Sequence, residues 1–113
     1  QEKHFFQKPE LPKPEKELTT MGATMFHDNG CEGCHGIGAI SLGGSLTDLR
    51  MKQYSKEYLR AVMDGALVSG GMPKFDYLSD SHLVAINSFL LGKAWESYED
   101  EDNVPYEKEN TNN

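Results

Sequence analysis

Positive charge is scarce in this sequence. Its 11 lysine and arginine residues are outnumbered by 18 aspartate and glutamate residues, and the formal net charge is -7 at pH 7. A polyanion would be repelled by such a chain, which argues against a nucleic acid or an anionic membrane surface as a partner. The same excess of negative charge favours a docking partner with a basic patch.

Long apolar runs are also missing. No run approaches the twenty residues of a membrane-spanning helix, and no charged, then apolar, then small-residue leader is present. We therefore expect a mature or excised chain without membrane insertion. With 113 residues and 37% hydrophobic content, it is expected to form one small domain with a modest protein core.

Only two cysteines are present, and a histidine directly follows the second, in Cys31-Glu32-Gly33-Cys34-His35. This is the spacing of covalent c-type haem attachment. On one helical turn, residues three apart lie on the same side, so both thiols reach the edge of one macrocycle while the imidazole is directed toward its centre. We predict one haem c, with Cys31 and Cys34 as thioether attachment points and His35 as the proximal iron ligand.

Two other uses of a cysteine pair fit the sequence less well. A zinc site needs two further ligands, and only His4, His27 and His82 remain. A redox disulfide needs a preceding strand, whereas residues 25–30 have the pattern of a helix that ends at a glycine. Because haem uses both thiols, no structural disulfide is expected. Attachment of this kind also resembles chemistry done outside the cytoplasm, which predicts the bacterial periplasm.

A second iron ligand is predicted in the loop Gly70-Gly71-Met72-Pro73. The two glycines and the proline keep this backbone out of a helix, as the presentation of a thioether ligand to the open side of a haem requires. We predict Met72 as the distal ligand, with His27, His82 or an open position as the alternatives. Met21 and Met25 are predicted to belong to the core instead.

Three helices are predicted, over residues 15–29, 56–64 and 79–91. The second is capped by Ser55, stops at Gly65 and buries Tyr58, Leu59, Val62 and Met63. The third has Gly92 after its end, packs on the core through Leu83, Ile86, Phe89 and Leu90, and is expected to cross the first helix at Gly22.

The regions on either side of the helical part differ from it in composition. Residues 1–16 are rich in proline and charge, and they are predicted to form an interdomain linker or a strap over the domain surface. Residues 17–95 form the predicted domain. Residues 96–113 are predicted to be an acidic, flexible tail, although Trp95, Tyr98 and Tyr106 leave room for it to wrap back.

Several of these motifs together resemble class I monohaem cytochrome c: the haem motif, the Gly71-Met72-Pro73 loop, and Gly22, Phe26, Leu83, Ile86 and Phe89. The segments 46–50 and 71–75 are more narrowly similar to the cytochrome domain of quinohaemoprotein alcohol dehydrogenases. The resemblance covers about residues 19–91. It implies an all-α, class I cytochrome c-like fold, with three main helices and short turns around one covalently bound haem.

The resemblance also implies site residues. Cys31 and Cys34 would attach the haem, His35 and Met72 would be its axial ligands, and Arg50 would contact a haem propionate. The chain departs from the family pattern in three places. It has an extra residue between Phe26 and Cys31, a threonine at position 47 where a proline is usual, and no proline between His35 and Leu46 to orient the proximal imidazole.

A histidine and a methionine would saturate the iron, and this predicts an electron carrier rather than an enzyme. We expect it to pass single electrons from a periplasmic dehydrogenase, such as a quinoprotein, or from a fused redox domain, to a terminal oxidase or another cytochrome. If Met72 is labile or is not a ligand, a gas sensor or a peroxidase becomes the alternative. The local residues Lys74 and Asp76 are an unpersuasive acid–base pair for a peroxidase.

Overall fold

The computed structural model describes residues 6–36, 39, 49 and 54–102. Within these ranges there are four α-helices, α1 (Lys16–Asp28), α2 (Glu32–His35), α3 (Lys56–Ala61) and α4 (Asp80–Asp102). A wide π-helical turn over Val62–Ala66 and a 3-10 turn over Val68–Gly70 follow α3. The described ranges contain no β-strand, and the predicted all-α, cytochrome c-like fold is confirmed. None of the described helices combines the length and apolar character needed to cross a membrane.

α1 and α4 cross in close contact at Gly22, as the sequence predicts. A β-carbon on this glycine would lie 2.6 Å from the carbonyl carbon of Ala85 and 2.7 Å from Cβ of Phe89. Both distances are well below van der Waals contact, so only glycine fits between the two helices here. The unfavourable helix propensity of Gly22 is therefore offset by the approach that it permits.

The core lies between these two helices and the turn after α3. We call its buried part the central cluster, which consists of Phe26, Ala39, Met63, Leu78, Leu83, Ile86, Phe89 and Leu90. The rings of Phe26 and Phe89 join α1 to α4, with centroids 5.3 Å apart. The predicted core face of the last helix is confirmed, because its apolar residues at helical spacing are buried.

Two predicted core residues are instead exposed. Met21 is 50% exposed, because α1 contacts α4 through Gly22 and Phe26, and position 21 is turned away from that line. Tyr58 is 48% exposed and stacks on the ring of Tyr54 at the surface, with centroids 5.8 Å apart. Met25 is half-buried and packs against the central cluster, in agreement with the prediction.

The start of α3 follows its sequence signal closely. The hydroxyl oxygen of Ser55 accepts a hydrogen bond from the amide of Tyr58 at 3.0 Å, which is the predicted N-cap. The α-helix ends at Ala61 and continues as the π-helical turn, which contains Gly65 in a left-handed conformation with φ of 119°. The chain then leads into the loop that carries Met72.

α4 is longer than predicted. The predicted end at Leu91 is wrong, because the helix continues to Asp102 and includes Gly92 in its interior. A β-carbon at Gly92 would lie 3.2 Å from Cγ2 of Thr19, so this glycine also faces a neighbouring segment. Residues 96–102, which the sequence suggested to be part of a flexible tail, are thus helical, while the division of the chain into domains stays a prediction.

The extension of α4 is covered by residues 6–15, which we call the N-terminal strap. The indole Nε1 of Trp95 donates a hydrogen bond to the carbonyl of Leu11 at 2.9 Å. The ammonium of Lys13 lies 2.6 Å from a carboxylate oxygen of Glu99 and 5.7 Å from the centre of the Trp95 ring. These contacts join residues that are far apart in the sequence. They stabilise the C-terminal part of α4, which local sequence signals do not predict.

Candidate haem site

The C-terminus of α1 determines where the cysteine motif begins. Gly30 adopts a positive φ of 76°, and its amide donates to the carbonyl of His27 at 3.1 Å. The amide of Cys31 donates to the carbonyl of Phe26, also at 3.1 Å. These two bonds form a Schellman motif, the common glycine-terminated end of a helix. Cys31 is therefore held three positions beyond the last residue of α1, against the central cluster that includes Phe26.

The motif itself folds into the single helical turn that its spacing predicts. The amides of Cys34 and His35 both donate to the carbonyl of Cys31, at 3.3 and 3.0 Å. Both thiols are free of disulfide bonds; Cys31 is half-buried and Cys34 is exposed. Burial raises the pKa of the Cys31 thiol. The two thiols and the imidazole are thus presented by α2 and the residue before it.

An ion pair flanks this turn on the side of α1. Nδ1 of His27 lies 2.9 Å from a carboxylate oxygen of Glu32. The hydrogen bond and the charge of Glu32 raise the pKa of His27 above its ordinary value. Because Glu32 stands between the two cysteines, the pair connects the last turn of α1 to α2.

Met72 lies in an irregular segment, as predicted. Gly71 before it has a positive φ of 107°, and the amide of Met72 donates to the carbonyl of Leu67 at 3.2 Å. Two residues after Pro73, the amide of Phe75 donates to the carbonyl of Met63 at 2.7 Å. These bonds hold the segment beside the turn after α3, and the half-buried Met72 packs against the central cluster.

Three of the four predicted haem residues lie on or beside one apolar region. Cys31 and Met72 come from different segments of the chain, yet both pack against the central cluster. The ring of Phe26, a member of that cluster, lies 6.3 Å from the ring of His35, centre to centre. Two free thiols followed by an imidazole are what covalent haem attachment requires, and a thioether is a common second iron ligand, so the chemistry of these residues fits the group.

The described residues do not supply the ligands of a zinc site. They contain no group of three or more histidine, cysteine, aspartate or glutamate side chains placed to hold a metal ion. A structural zinc site needs four such ligands. Within the described part of the chain, the cysteine pair therefore has the neighbouring residues that haem attachment needs but not the further ligands that zinc needs.

One predicted contact lies outside the described residues. Arg50, the predicted partner of a haem propionate, falls in the range 50–53, which the structure does not describe. Most positions between His35 and Tyr54 fall outside as well, and Gly36, Ala39 and Leu49 are the described ones. The role of Arg50 stays a prediction.

A contact that the sequence does not predict joins the two parts of the site. The hydroxyl of Tyr77 donates a hydrogen bond to Oδ1 of Asn29 at 2.7 Å. Asn29 is the C-cap of α1, and Tyr77 follows Met72 in the same irregular segment. The two residues are 48 positions apart, so no periodicity or local motif signals their contact.

Comparison with known proteins identifies relatives but no matching family model and no matching solved structure. The chain is 36% identical over 96 residues to lupanine 17-hydroxylase (cytochrome c) of a Pseudomonas species, which covers 83% of this chain and 14% of that protein. Two quinohemoprotein alcohol dehydrogenases of Pseudomonas putida also match. ADH IIB is 35% identical over 71 residues, covering 60% of this chain and 10% of the enzyme. ADH-IIG is 31% identical over 102 residues, covering 84% and 14%.

The similarity is thus confined to a short part of each relative, since this chain spans 14% or less of their lengths. It nevertheless extends over most of this chain in two of the three cases. The predicted resemblance to cytochrome c, and to quinohaemoprotein alcohol dehydrogenases in particular, is confirmed by these relatives.

Proposed function

We propose that this relative of the quinohaemoproteins is a monohaem c-type cytochrome. It carries single electrons between a periplasmic dehydrogenase, or a redox domain fused to it, and a downstream acceptor. The observation that carries the proposal is that Cys31 and Met72 pack against one apolar cluster, whose Phe26 adjoins His35. This arrangement supports a haem ligand set drawn from two distant segments of the chain.

Each residue of the set has a distinct role in the proposal. The bound haem supplies one-electron chemistry at its iron. Cys31 and Cys34 would hold it covalently, and His35 and Met72 would coordinate its iron, which would leave no open coordination position for a substrate. The neutral, soft thioether of Met72 favours the ferrous state and raises the reduction potential. The apolar central cluster, against which Met72 packs, would limit the access of solvent to the iron and strengthen this effect.

The names of the relatives support a particular class of electron donor. Two are quinohemoprotein alcohol dehydrogenases, and the third is a hydroxylase whose name includes cytochrome c. We therefore propose a quinoprotein dehydrogenase as the donor, with a terminal oxidase or another cytochrome as the acceptor. Such exchange would take place in the periplasm, through a small and transient docking surface.

Optical spectroscopy of the haem-loaded protein tests the ligand set. The unmodified protein should have a low-spin haem c spectrum with the weak far-red band of methionine bound to ferric iron, and its ferrous form should not bind carbon monoxide promptly. Met72→Ala should lose the far-red band and bind carbon monoxide, because the sixth position is then open. The matched control is Met21→Ala, which removes an exposed methionine and should leave the spectrum unchanged.

A high-spin spectrum, or prompt carbon monoxide binding by the unmodified protein, would contradict the carrier proposal and favour the gas sensor or peroxidase.

The structure gives the peroxidase little support. Nζ of Lys74 and the carboxylate of Asp76 are 3.8 Å apart, and both side chains are more than half exposed, whereas a distal acid–base pair has to face the iron in a protected site.

A further inference from the structure

The hydrogen bond between Tyr77 and Asn29 connects the two segments that carry the proposed haem ligands. Asn29 precedes Cys31 by two positions, and Tyr77 follows Met72 by five. Their side chains meet at 2.7 Å. A single contact thus links the attachment side of the proposed haem site to the segment of its distal ligand.

The side chain of Asn29 is held in place by a hydrogen bond that does not involve Tyr77. Its Nδ2 donates to the carbonyl of Met25 at 2.9 Å, and its backbone amide donates to the same carbonyl at 3.1 Å. The amide group is therefore anchored on the last turn of α1, and its Oδ1 is left to accept from Tyr77. An acceptor that is already ordered loses little side-chain entropy when the hydrogen bond forms.

Residues 71–77, which we call the Met72 segment, are held from two sides. The amides of Met72 and Phe75 donate to the carbonyls of Leu67 and Met63, which ties the segment to the region after α3. The hydroxyl of Tyr77 ties it to α1 on the other side. When Met72 leaves an iron that is attached next to α1 by movement of its segment relative to α1, this movement breaks the Tyr77 hydrogen bond.

We propose that Tyr77 and Asn29 are positioning residues that hold Met72 in its ligating position. Their hydrogen bond is present when the Met72 segment is closed over the site and is lost when the segment opens, so it opposes displacement of the thioether. This inference rests on the proposed function, because it requires Met72 to be an iron ligand. Tyr77 is 67% exposed, so its role is to connect two segments rather than to fill the core.

Competition with imidazole measures the opening of the segment. Added imidazole binds ferric haem where methionine leaves, so its apparent affinity is proportional to the open fraction. Tyr77→Phe should raise this affinity about 3- to 10-fold, the range expected for loss of one neutral hydrogen bond from the closed state alone. The far-red methionine band should persist without imidazole. The matched control is Tyr58→Phe, an exposed tyrosine whose hydroxyl has no hydrogen bond in the described part of the chain.

A second variant separates this role from a general loss of stability. In an Asn29→Ala background, Tyr77→Phe should no longer change the imidazole affinity, because its partner is already absent. An unchanged imidazole affinity in Tyr77→Phe alone, or an equal change in Tyr58→Phe, would overturn the inference. Absence of the far-red band from the unmodified protein would overturn the proposed ligation of Met72 itself, a distinct result obtained before any tyrosine is changed.

Discussion

At the scale of single residues, a substitution at Gly22 is expected to have a large effect on stability. Gly22→Ala places a β-carbon within 2.7 Å of Cβ of Phe89 and still closer to the backbone of Ala85, and backbone cannot be displaced by a rotamer change. We expect the free energy of unfolding to fall by about 3 kcal/mol, as measured by guanidinium denaturation.

The matched control for this prediction is Gly33→Ala. Gly33 is also helical, but a β-carbon there has no neighbour within 4 Å. Its free energy of unfolding should stay constant or rise by up to about 1 kcal/mol, the difference in helix propensity between alanine and glycine. Equal stabilities of the two variants would contradict the close crossing of α1 and α4.

The sequence predicts some of these residues and not others. Gly22 is predictable because glycine is unfavourable in the interior of a helix, and a close helix crossing is the usual explanation for its presence there. Cys31, Cys34 and His35 are predictable because their chemistry depends on local spacing. The pair of Asn29 and Tyr77 is not, because its two members meet only after the chain has folded.

At the scale of elements, the contact between the N-terminal strap and α4 can be tested at Trp95. Trp95→Phe keeps an aromatic ring but removes the indole donor that binds the carbonyl of Leu11. We expect a loss of about 1 kcal/mol in the free energy of unfolding and faster amide hydrogen exchange in residues 6–15. The helix α3 in the same variant is the internal control, and its exchange should not change. Unaltered exchange of the strap would mean that this hydrogen bond does not hold it.

The boundaries of elements were predictable where the capping residue is local. The cap at Ser55 and the glycine end at Gly30 act within a few residues, so composition and spacing predict them, whereas the α-helical part of α3 ends at Ala61, before the predicted stop at Gly65. The end of α4 was not predictable in this way. Gly92 has the appearance of a stop signal, but in the fold it faces Thr19 and Pro14, and Lys13 of the strap pairs with Glu99 further along the helix.

At the scale of the whole molecule, the charge of -7 predicts how small redox reagents react with the proposed haem. Oxidation of the reduced protein by a multiply charged cationic complex should slow as salt is added, because screening weakens the attraction. Oxidation by ferricyanide should accelerate under the same conditions. Stopped-flow measurement of both rate constants as a function of ionic strength tests this. If both rate constants depend on ionic strength in the same way, the net charge of the protein does not control how the reagents approach it.

The crossing of α1 and α4 also bears on how quickly the molecule folds. Gly22 and Ala85 touch across a loop of about sixty residues, whose closure has an entropic cost of roughly 4 kcal/mol that must be met before the contact is formed. Chains whose cores depend on such distant contacts fold more slowly than chains with local ones. The folding time of this protein should therefore depend on how readily its first and last helices meet, and the haem motif lies within the loop that their meeting closes.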